Sequence, residues 1–203
     1  EVDGGLRDLH RERRLHRGML DRQRVDFSYQ ANPATNLYIK TVARYQSDTH
    51  VVREFFEGEY RQNPQPNSFV EVNRFWQNWS VDGYVQPQVN TSLDTIERLP
   101  EIRLNGQRQQ LGETPVYYES VTSAGYYRHA YGQTNGVYDR LDYEAPRMDT
   151  YQKLLLPNTF FDWLNVTPRV GGRYTYYGAT TGPGATTDEF SRWVFDTGAE
   201  VSA

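Results

Sequence analysis

The chain has 203 residues, which is enough for one large domain or for a piece of a larger one. Its net charge of -4 does not favour nucleic-acid binding, and the lack of cysteine excludes disulfides, thiol catalysis and cysteine-based metal sites. A mean hydropathy of -0.82, with no run of about 18 apolar residues, excludes a transmembrane helix but not the weaker dyad pattern of membrane β-strands.

The first 24 residues form a leading segment that is rich in arginine and diluted by acidic residues. We interpret this segment as solvated, and the alternative is a polybasic contact with a membrane surface. Residues 25–203 are expected to be strands and loops, so the whole chain is interpreted as one portion of a β-barrel domain.

Two alternating runs, 25–30 and 37–45, predict a β-hairpin, with a turn at Asn32-Pro33. The period then changes, because the apolar residues of 52–60 are spaced as one face of a short helix. We expect this helix to lie in a loop, with Asp48 as its cap and a proline-rich end near Pro64.

Further alternating segments predict strands at 68–76, 79–89, 99–104, 116–131 and 137–156. We expect a tight turn at Gln77-Asn78 and a hairpin turn at Asn105-Gly106, since Asn-Gly is a strong hairpin signal. Pro146 is expected to interrupt the last of these segments.

The clearest alternation covers 164–177. One set of positions, from Leu164 to Tyr176, is apolar, small or aromatic, and the other set carries polar residues and two arginines. A second clean strand runs from Trp193 to Val201. This pattern predicts an all-β fold, an antiparallel up-and-down transmembrane β-barrel segment of about ten strands, incomplete as a barrel, with a short helix in one loop.

No pattern of catalytic or metal-binding residues is found, so we expect no enzyme, no metal and no cofactor. The four histidines (His10, His16, His50 and His129) lack the spacing of metal ligands. Two groups of neighbouring carboxylates are interpreted as surface or lumen charge rather than as a glycosidase pair: Glu57 with Glu59, and Asp139 with Asp142 and Glu144.

Five segments occur in an order and spacing that resemble one known family. They are Arg17-Gly18 through Phe55-Phe56, the stretch 56–66, the stretch 89–104 around Glu-Arg-Leu-Pro-Glu, the stretch 147–157, and 163–177 with its Thr-Pro-Arg and Tyr-Thr-Tyr-Tyr blocks. Together they resemble the LptD family of outer-membrane lipopolysaccharide-assembly proteins, also called the organic solvent tolerance family.

The resemblance implies a large barrel in the outer membrane of a Gram-negative cell. Such a barrel would receive lipopolysaccharide from periplasmic bridge proteins and deliver it to the outer leaflet, working with a plug lipoprotein. The implied partners are therefore lipopolysaccharide, outer-membrane lipid, the plug lipoprotein and the bridge proteins, with no nucleic acid. The chain would be an interior portion of that barrel, with the strands of the lateral opening outside it.

The polar positions of 164–177 give the candidate site. Asn165, Thr167, Arg169 and Arg173 share one face and are predicted to face the lumen. Arginine suits phosphate through its planar fork of donors, so we hypothesise contact with the phosphorylated sugar of the glycolipid. The alternative is that these residues simply keep the lumen wet, as in porin-like interiors.

Two other functions remain open from the sequence. One is a soluble, Tyr- and Trp-rich β-sandwich that binds carbohydrate, which would bury Val166, Val170, Phe195 and Val201 in a core. The other is a different outer-membrane barrel, either a porin or a receptor, for which the order of the family segments would be accidental.

Overall fold

The computed structural model describes residues 23–47, 51–62, 66–134, 137–138 and 140–203. Almost all of the arginine-rich leading segment lies outside these ranges, as do Asp48 and Pro64, so their expected roles stay predictions. In the described part of the chain, no helix is both long and apolar enough to cross a membrane.

The described residues form strands and two short helices, which follow one another along the chain. The strands are β1 Arg24–Ala34, β2 Leu37–Gln46, β3 Phe69–Trp76, β4 Trp79–Gln86, β5 Thr95–Gln110, β6 Tyr117–Ala130, β7 Gln133–Thr134, β8 Val137–Tyr138, β9 Tyr143–Leu155, β10 Asn158–Phe160, β11 Leu164–Tyr177 and β12 Phe190–Ser202. The helices are α1 Val51–Phe55 and α2 Glu57–Gln62.

Ten of the strands form one antiparallel sheet in an up-and-down order. The order is β1-β2-β3-β4-β5-β6-β9-β11-β12, and the short β10 continues from β9 along the first residues of β11. β7 and β8 form a separate two-stranded ribbon. Within the described ranges, β1 and β12 are the two unclosed ends of the sheet, which confirms the predicted incomplete, up-and-down arrangement.

The register sorts the side chains onto two faces, because directly paired residues share a face and consecutive residues alternate. One face, here the apolar face, is mainly aliphatic and aromatic; it includes Val25, Phe27, Ile39, Val72, Leu104, Met148, Val170, Phe195 and Val201. The other, here the charged face, includes Asp26, Lys40, Glu71, Asp82, Glu101, Arg103, Asp149, Lys153, Arg169 and Arg173.

The apolar face is uncovered. Phe195 is 78% exposed, Val201 62% and Val170 52%, whereas the buried hydrophobic residues of the described chain are only Val42, Val51, Ala130 and Leu155. A soluble β-sandwich would pack this face against a second sheet, and the described residues form no such layer. The single sheet with an exposed apolar face therefore fits a barrel segment and not the carbohydrate-binding sandwich.

The two ends of the sheet differ in their connections. At one end, here the short-turn end, the hairpins β1–β2 and β3–β4 turn through two residues each, at 35–36 and 77–78. At the other, here the long-loop end, longer segments join the strands, at 47–68, 87–94, 131–142 and 178–189. Most of the buried polar residues, including Gln46, Ser68 and Asn90, lie near the long-loop end, where Ser68 and Asn90 accept hydrogen bonds from the backbone N–H groups of Arg44 and Gln46.

Aromatic residues occupy both margins of the apolar face. Trp76 pairs with Trp79 at the short-turn end, and Tyr174 contacts Trp193 near the long-loop end, with their ring centroids 4.4 Å apart. On β2, the nine residues from Leu37 to Tyr45 span about 26 Å along the strand. Two aromatic margins around an aliphatic band are typical of the exterior of a membrane barrel.

The turn predicted at Gln77-Asn78 is confirmed, but the prediction of a turn at Asn105-Gly106 was wrong. Both residues lie inside β5, which continues to Gln110. Gly106 is required there for packing, since a Cβ would stand 2.9 Å from the ring of Trp79. The actual chain reversal follows Leu111 and uses Gly112, whose φ is +60°.

Two other expectations about proline were also wrong. Asn32-Pro33 lies inside β1, where the register shifts between Ala31 and Ala34, and the turn comes after it. Pro146 lies inside β9 beyond the last pair of the β9–β11 ladder, so its missing N–H breaks no strand pairing. The single predicted helix is present as two pieces, α1 and α2.

Candidate functional site

The candidate site lies on the charged face, along β11. The register places the predicted residues Asn165, Thr167, Arg169 and Arg173 on this face, together with Gly171 and Thr175. These six residues are called the β11 polar row. β9 and β12 flank the row along most of its length, and they supply the side chains that contact it.

Arg173 is held by a carboxylate of the neighbouring strand. Its Nε donates to both oxygens of Asp149, at 3.1 and 3.0 Å, and its Nη2 lies 2.9 Å from Oδ1. Thr175, which is 1% exposed, donates a 2.6 Å hydrogen bond to the same carboxylate. Asp149 is buried, so these donors compensate a charge that would otherwise be costly.

Arg169 differs from Arg173, although they lie only four residues apart. In the described part of the chain, the Arg169 side chain makes no hydrogen bond and no ion pair, and it is exposed. It extends over Gly198 of β12, where a Cβ would stand 3.4 Å from the Arg169 Nε. The absence of a side chain at Gly198 leaves the guanidinium free to project from the sheet.

A hydrogen bond crosses β11 between these two arginines. Tyr151 of β9 donates to both carboxylate oxygens of Asp196 on β12, at 3.0 and 3.2 Å. The bond passes over Gly171, where a Cβ would stand 2.6 Å from the Tyr151 hydroxyl and would also collide with Asp196. Gly171 is therefore needed for close approach, and the two neighbouring strands are tied together above it.

The other two predicted residues lie at the start of β11. Asn165 is exposed, and its Oδ1 accepts a 2.8 Å hydrogen bond from Thr159 of β10. Thr167 is half-buried and pairs with Glu200 of β12. The structure therefore brings the four predicted residues onto one face but gives them different partners.

Arginines overlie carboxylates elsewhere on this face as well. The Glu101 side chain is 7% exposed, and it pairs with Arg98 and Arg103, which are 41% and 45% exposed. Asp149 and Arg173 show the same relation, at 11% and 50%. At Glu101 and Asp149 the longer arginine stems thus place the guanidinium groups outermost, above the buried acids.

No pattern in the sequence pointed to Asp149, Tyr151 or Asp196 as partners of the row. Asp149 and Tyr151 belong to the Arg-Met-Asp-Thr-Tyr stretch that carries part of the family resemblance. Their alternation puts both on one face of β9, but only the register shows that this face meets Arg173 and Asp196. Pairing across strands is the information that a single sequence lacks.

A second recess lies at the long-loop end. It is a cleft of about 380 Å³ between the loops before and after the β9–β11 pair, and Arg128, Arg140, Asp142 and Thr181 contribute to its walls. Asp142 accepts hydrogen bonds from Arg128, at 2.8 Å, and from the Tyr131 N–H, at 2.9 Å. Burial opposes ionisation of Asp142, but these donors outweigh it and hold the pKa of the carboxyl below its usual value.

The described residues assemble no metal or catalytic site besides these ion pairs. No group of three or more potential metal ligands is found in the ranges that the structure describes. Of the carboxylates noted in the sequence, Glu57 pairs with Arg61, Glu59 with Arg24 and Asp142 with Arg128, while Asp139 lies outside the described residues. His129 stacks on the ring of Tyr131, with centroids 4.1 Å apart.

Comparison with known proteins identifies the family. The family model described as LptD, LPS transport system D, matches residues 20–201, which is most of the chain. A search among curated proteins gave no match. The match confirms the resemblance stated from the sequence, and it agrees with the single antiparallel sheet. The chain therefore belongs to the LptD family of outer-membrane proteins, which act in lipopolysaccharide transport and assembly rather than as enzymes.

Proposed function

We propose that this sheet is part of the wall of an outer-membrane barrel through which lipopolysaccharide passes. The observation that carries the proposal is the sorting of side chains onto an apolar and a charged face through all the strands of the up-and-down order. The apolar face would meet membrane lipid, and the charged face would meet an aqueous interior.

The unequal ends of the sheet support one orientation in the membrane. Outer-membrane barrels have short turns on the periplasmic side and longer loops at the cell surface. The short-turn end is therefore assigned to the periplasm, and the long-loop end to the exterior. In this orientation, β11 begins near the periplasm and its polar row leads towards the cell surface.

Within the β11 polar row, Arg169 is the stronger candidate for contact with the glycolipid. Its guanidinium has no acidic partner among the described residues, whereas Arg173 already binds Asp149. An unpaired guanidinium can bind a phosphate without first losing an ion pair. Asn165 and Thr167 would extend the same surface towards the periplasm, and a merely wet lumen is the competing function of the row.

The partners that the family implies belong to the same proposal. A plug lipoprotein would contact the charged face from inside the barrel, and periplasmic bridge proteins would deliver lipopolysaccharide at the short-turn end. Family membership supports these partners. The guanidinium groups that lie above Glu101 and Asp149 on the charged face support a phosphorylated cargo.

Photo-crosslinking of newly made lipopolysaccharide tests the path. A photoreactive amino acid replaces Arg169 in the protein in living cells, and lipopolysaccharide is labelled in a short pulse. Adducts at position 169 are expected early in the chase and should decline as the labelled molecules leave the barrel. The matched control is Val170, the next residue, which lies on the apolar face and should give adducts that persist with bulk membrane lipid.

Two results would contradict the proposal. If position 169 gives no lipopolysaccharide adduct at any time, the polar row only keeps the interior wet. If positions 169 and 170 give the same time course, the two faces do not separate a transport path from the membrane.

A further inference from the structure

Arg74 is a charged residue on the wrong face of the sheet. It pairs with Leu37 of β2 on one side and with Val81 of β4 on the other, so its side chain belongs to the apolar face. Between the aromatic margins of that face, it is the one charged side chain of the described strands. Charge at such a position needs a physical explanation.

The side chain has an aromatic neighbour but no acid. The Arg74 guanidinium carbon lies 5.1 Å from the centroid of the Trp76 ring, which is a cation–π contact. In the described part of the chain, Arg74 makes no ion pair, although arginines on the charged face pair with carboxylates. Both Arg74 and Trp76 are exposed, so the guanidinium is open to the medium beside the sheet.

The position along the strand specifies that medium. Arg74 is two residues before Trp76, which is followed by the tight turn 77–78 at the short-turn end. An arginine that faces lipid is strongly destabilising at the middle of a bilayer but almost neutral near its surface. Its long stem can follow the apolar surface while the guanidinium reaches the level of the lipid headgroups.

We propose that Arg74, with Trp76 beside it, binds the phosphate of a membrane phospholipid headgroup. The proposal rests on the proposed function, which directs the apolar face to lipid and the short-turn end to the periplasm. The periplasmic leaflet of an outer membrane contains phospholipid, so a phospholipid and not the transported glycolipid is the expected occupant. The guanidinium would supply paired donors to the phosphate oxygens, and Trp76 would fix its direction.

A phospholipid with a photoreactive headgroup tests this site in the protein reconstituted in vesicles. Labelling of the 69–86 region is expected in the wild type and should fall about ten-fold in Arg74→Gln, as expected for loss of one charge-assisted contact. Arg74→Lys should keep part of the labelling, because it retains the charge without the fork. The matched control is Lys40→Gln, which removes a cation of the neighbouring strand from the charged face and should leave labelling unchanged.

A second probe separates this inference from the function on which it rests. A phospholipid with a photoreactive acyl chain should label residues around Val72 and Val170 in the wild type and in Arg74→Gln alike. If acyl labelling occurs but headgroup labelling is the same with and without Arg74, the phosphate site is wrong and the proposed function stands. If neither region is labelled by acyl chains, the apolar face does not meet lipid, and both are wrong.

Discussion

Arginine side chains have different partners on the two faces of the sheet. On the charged face, Arg173 is fixed by Asp149 and the carboxylate lies beneath it. On the apolar face, Arg74 has no acid and contacts Trp76. An arginine can therefore neutralise a carboxylate within the protein on one face, whereas on the other face its guanidinium remains available to the surroundings.

Neutral polar groups on the apolar face form hydrogen bonds with one another. Thr122 and Thr150 lie 2.8 Å apart through their hydroxyls, and Gln152 donates to Thr150 at 2.6 Å and also bonds with Tyr118. These groups satisfy one another across β6 and β9. In a medium without water, such mutual hydrogen bonding removes most of the cost of their polarity.

The largest effect on stability is expected from a charge added to the apolar face. Phe195→Arg should destabilise the membrane-inserted protein by about 2–4 kcal/mol, because Phe195 lies near the middle of β12 and would face hydrocarbon. Val194→Arg, the next residue on the charged face, should cost less than about 1 kcal/mol even beside Arg173. Urea unfolding from vesicles measures both, and equal effects would show that the faces do not differ in solvent.

Removing the acid beneath Arg173 should have the next largest effect. Asp149→Asn is expected to destabilise the protein by about 2 kcal/mol, because Asp149 is the shared acceptor of Arg173 and Thr175. The same unfolding measurement applies, with Arg173→Gln and the double variant completing a cycle. If the two single changes are additive, the ion pair does not couple β9 to β11.

Two adjacent glycines offer a sharper comparison of the faces. Gly171→Ala should destabilise by about 1 kcal/mol, because its Cβ would displace the Tyr151–Asp196 hydrogen bond. Gly172→Ala should be nearly neutral, since the nearest atom of Phe195 would be 3.6 Å away. Thermal unfolding compares the two, and the Gly171 penalty should shrink when Tyr151 is already phenylalanine.

The smallest effect concerns acid at the long-loop end. The pKa of Asp142 in the folded protein is lowered, so its contribution to stability is present above the unfolded pKa near 4 and is lost as the pH falls through the folded value. Proteolysis of the 131–142 loop should therefore increase below about pH 4 in the wild type. Asp142→Asn should remove that dependence, whereas Asp162→Asn at the opposite end should not.

The sequence predicted the face of every residue in β11 and of those from Trp193 to Val201 in β12, because strict alternation there has no break. In β5 it failed, because the register shifts twice, between Arg98 and Glu101 and between Gly106 and Gln109. Each shift moves the alternation to the other set of positions, so only 99–104 looked like a strand. A period-two pattern can be read only where its phase is constant.

The candidate site was predictable in part for the same reason. Arg169 and Arg173 were placed on one face correctly, but their different pairing depends on Asp149 of β9 and on the small Gly198 of β12. Arg74 lies in the predicted strand 68–76, and the sequence alone offers no reason to select it. A charged residue on an apolar face is visible only when the register of β2, β3 and β4 is known.

The two register shifts in β5 change which set of alternating positions lies on the apolar face. An extra residue between Arg98 and Glu101 places Glu101 and Arg103 on the charged face. Deleting a single residue there would leave the composition almost unchanged. It would nevertheless move Glu101 and Arg103 to the apolar face and Ile102 and Leu104 to the charged face, so the separation of the two faces along β5 depends on one inserted residue.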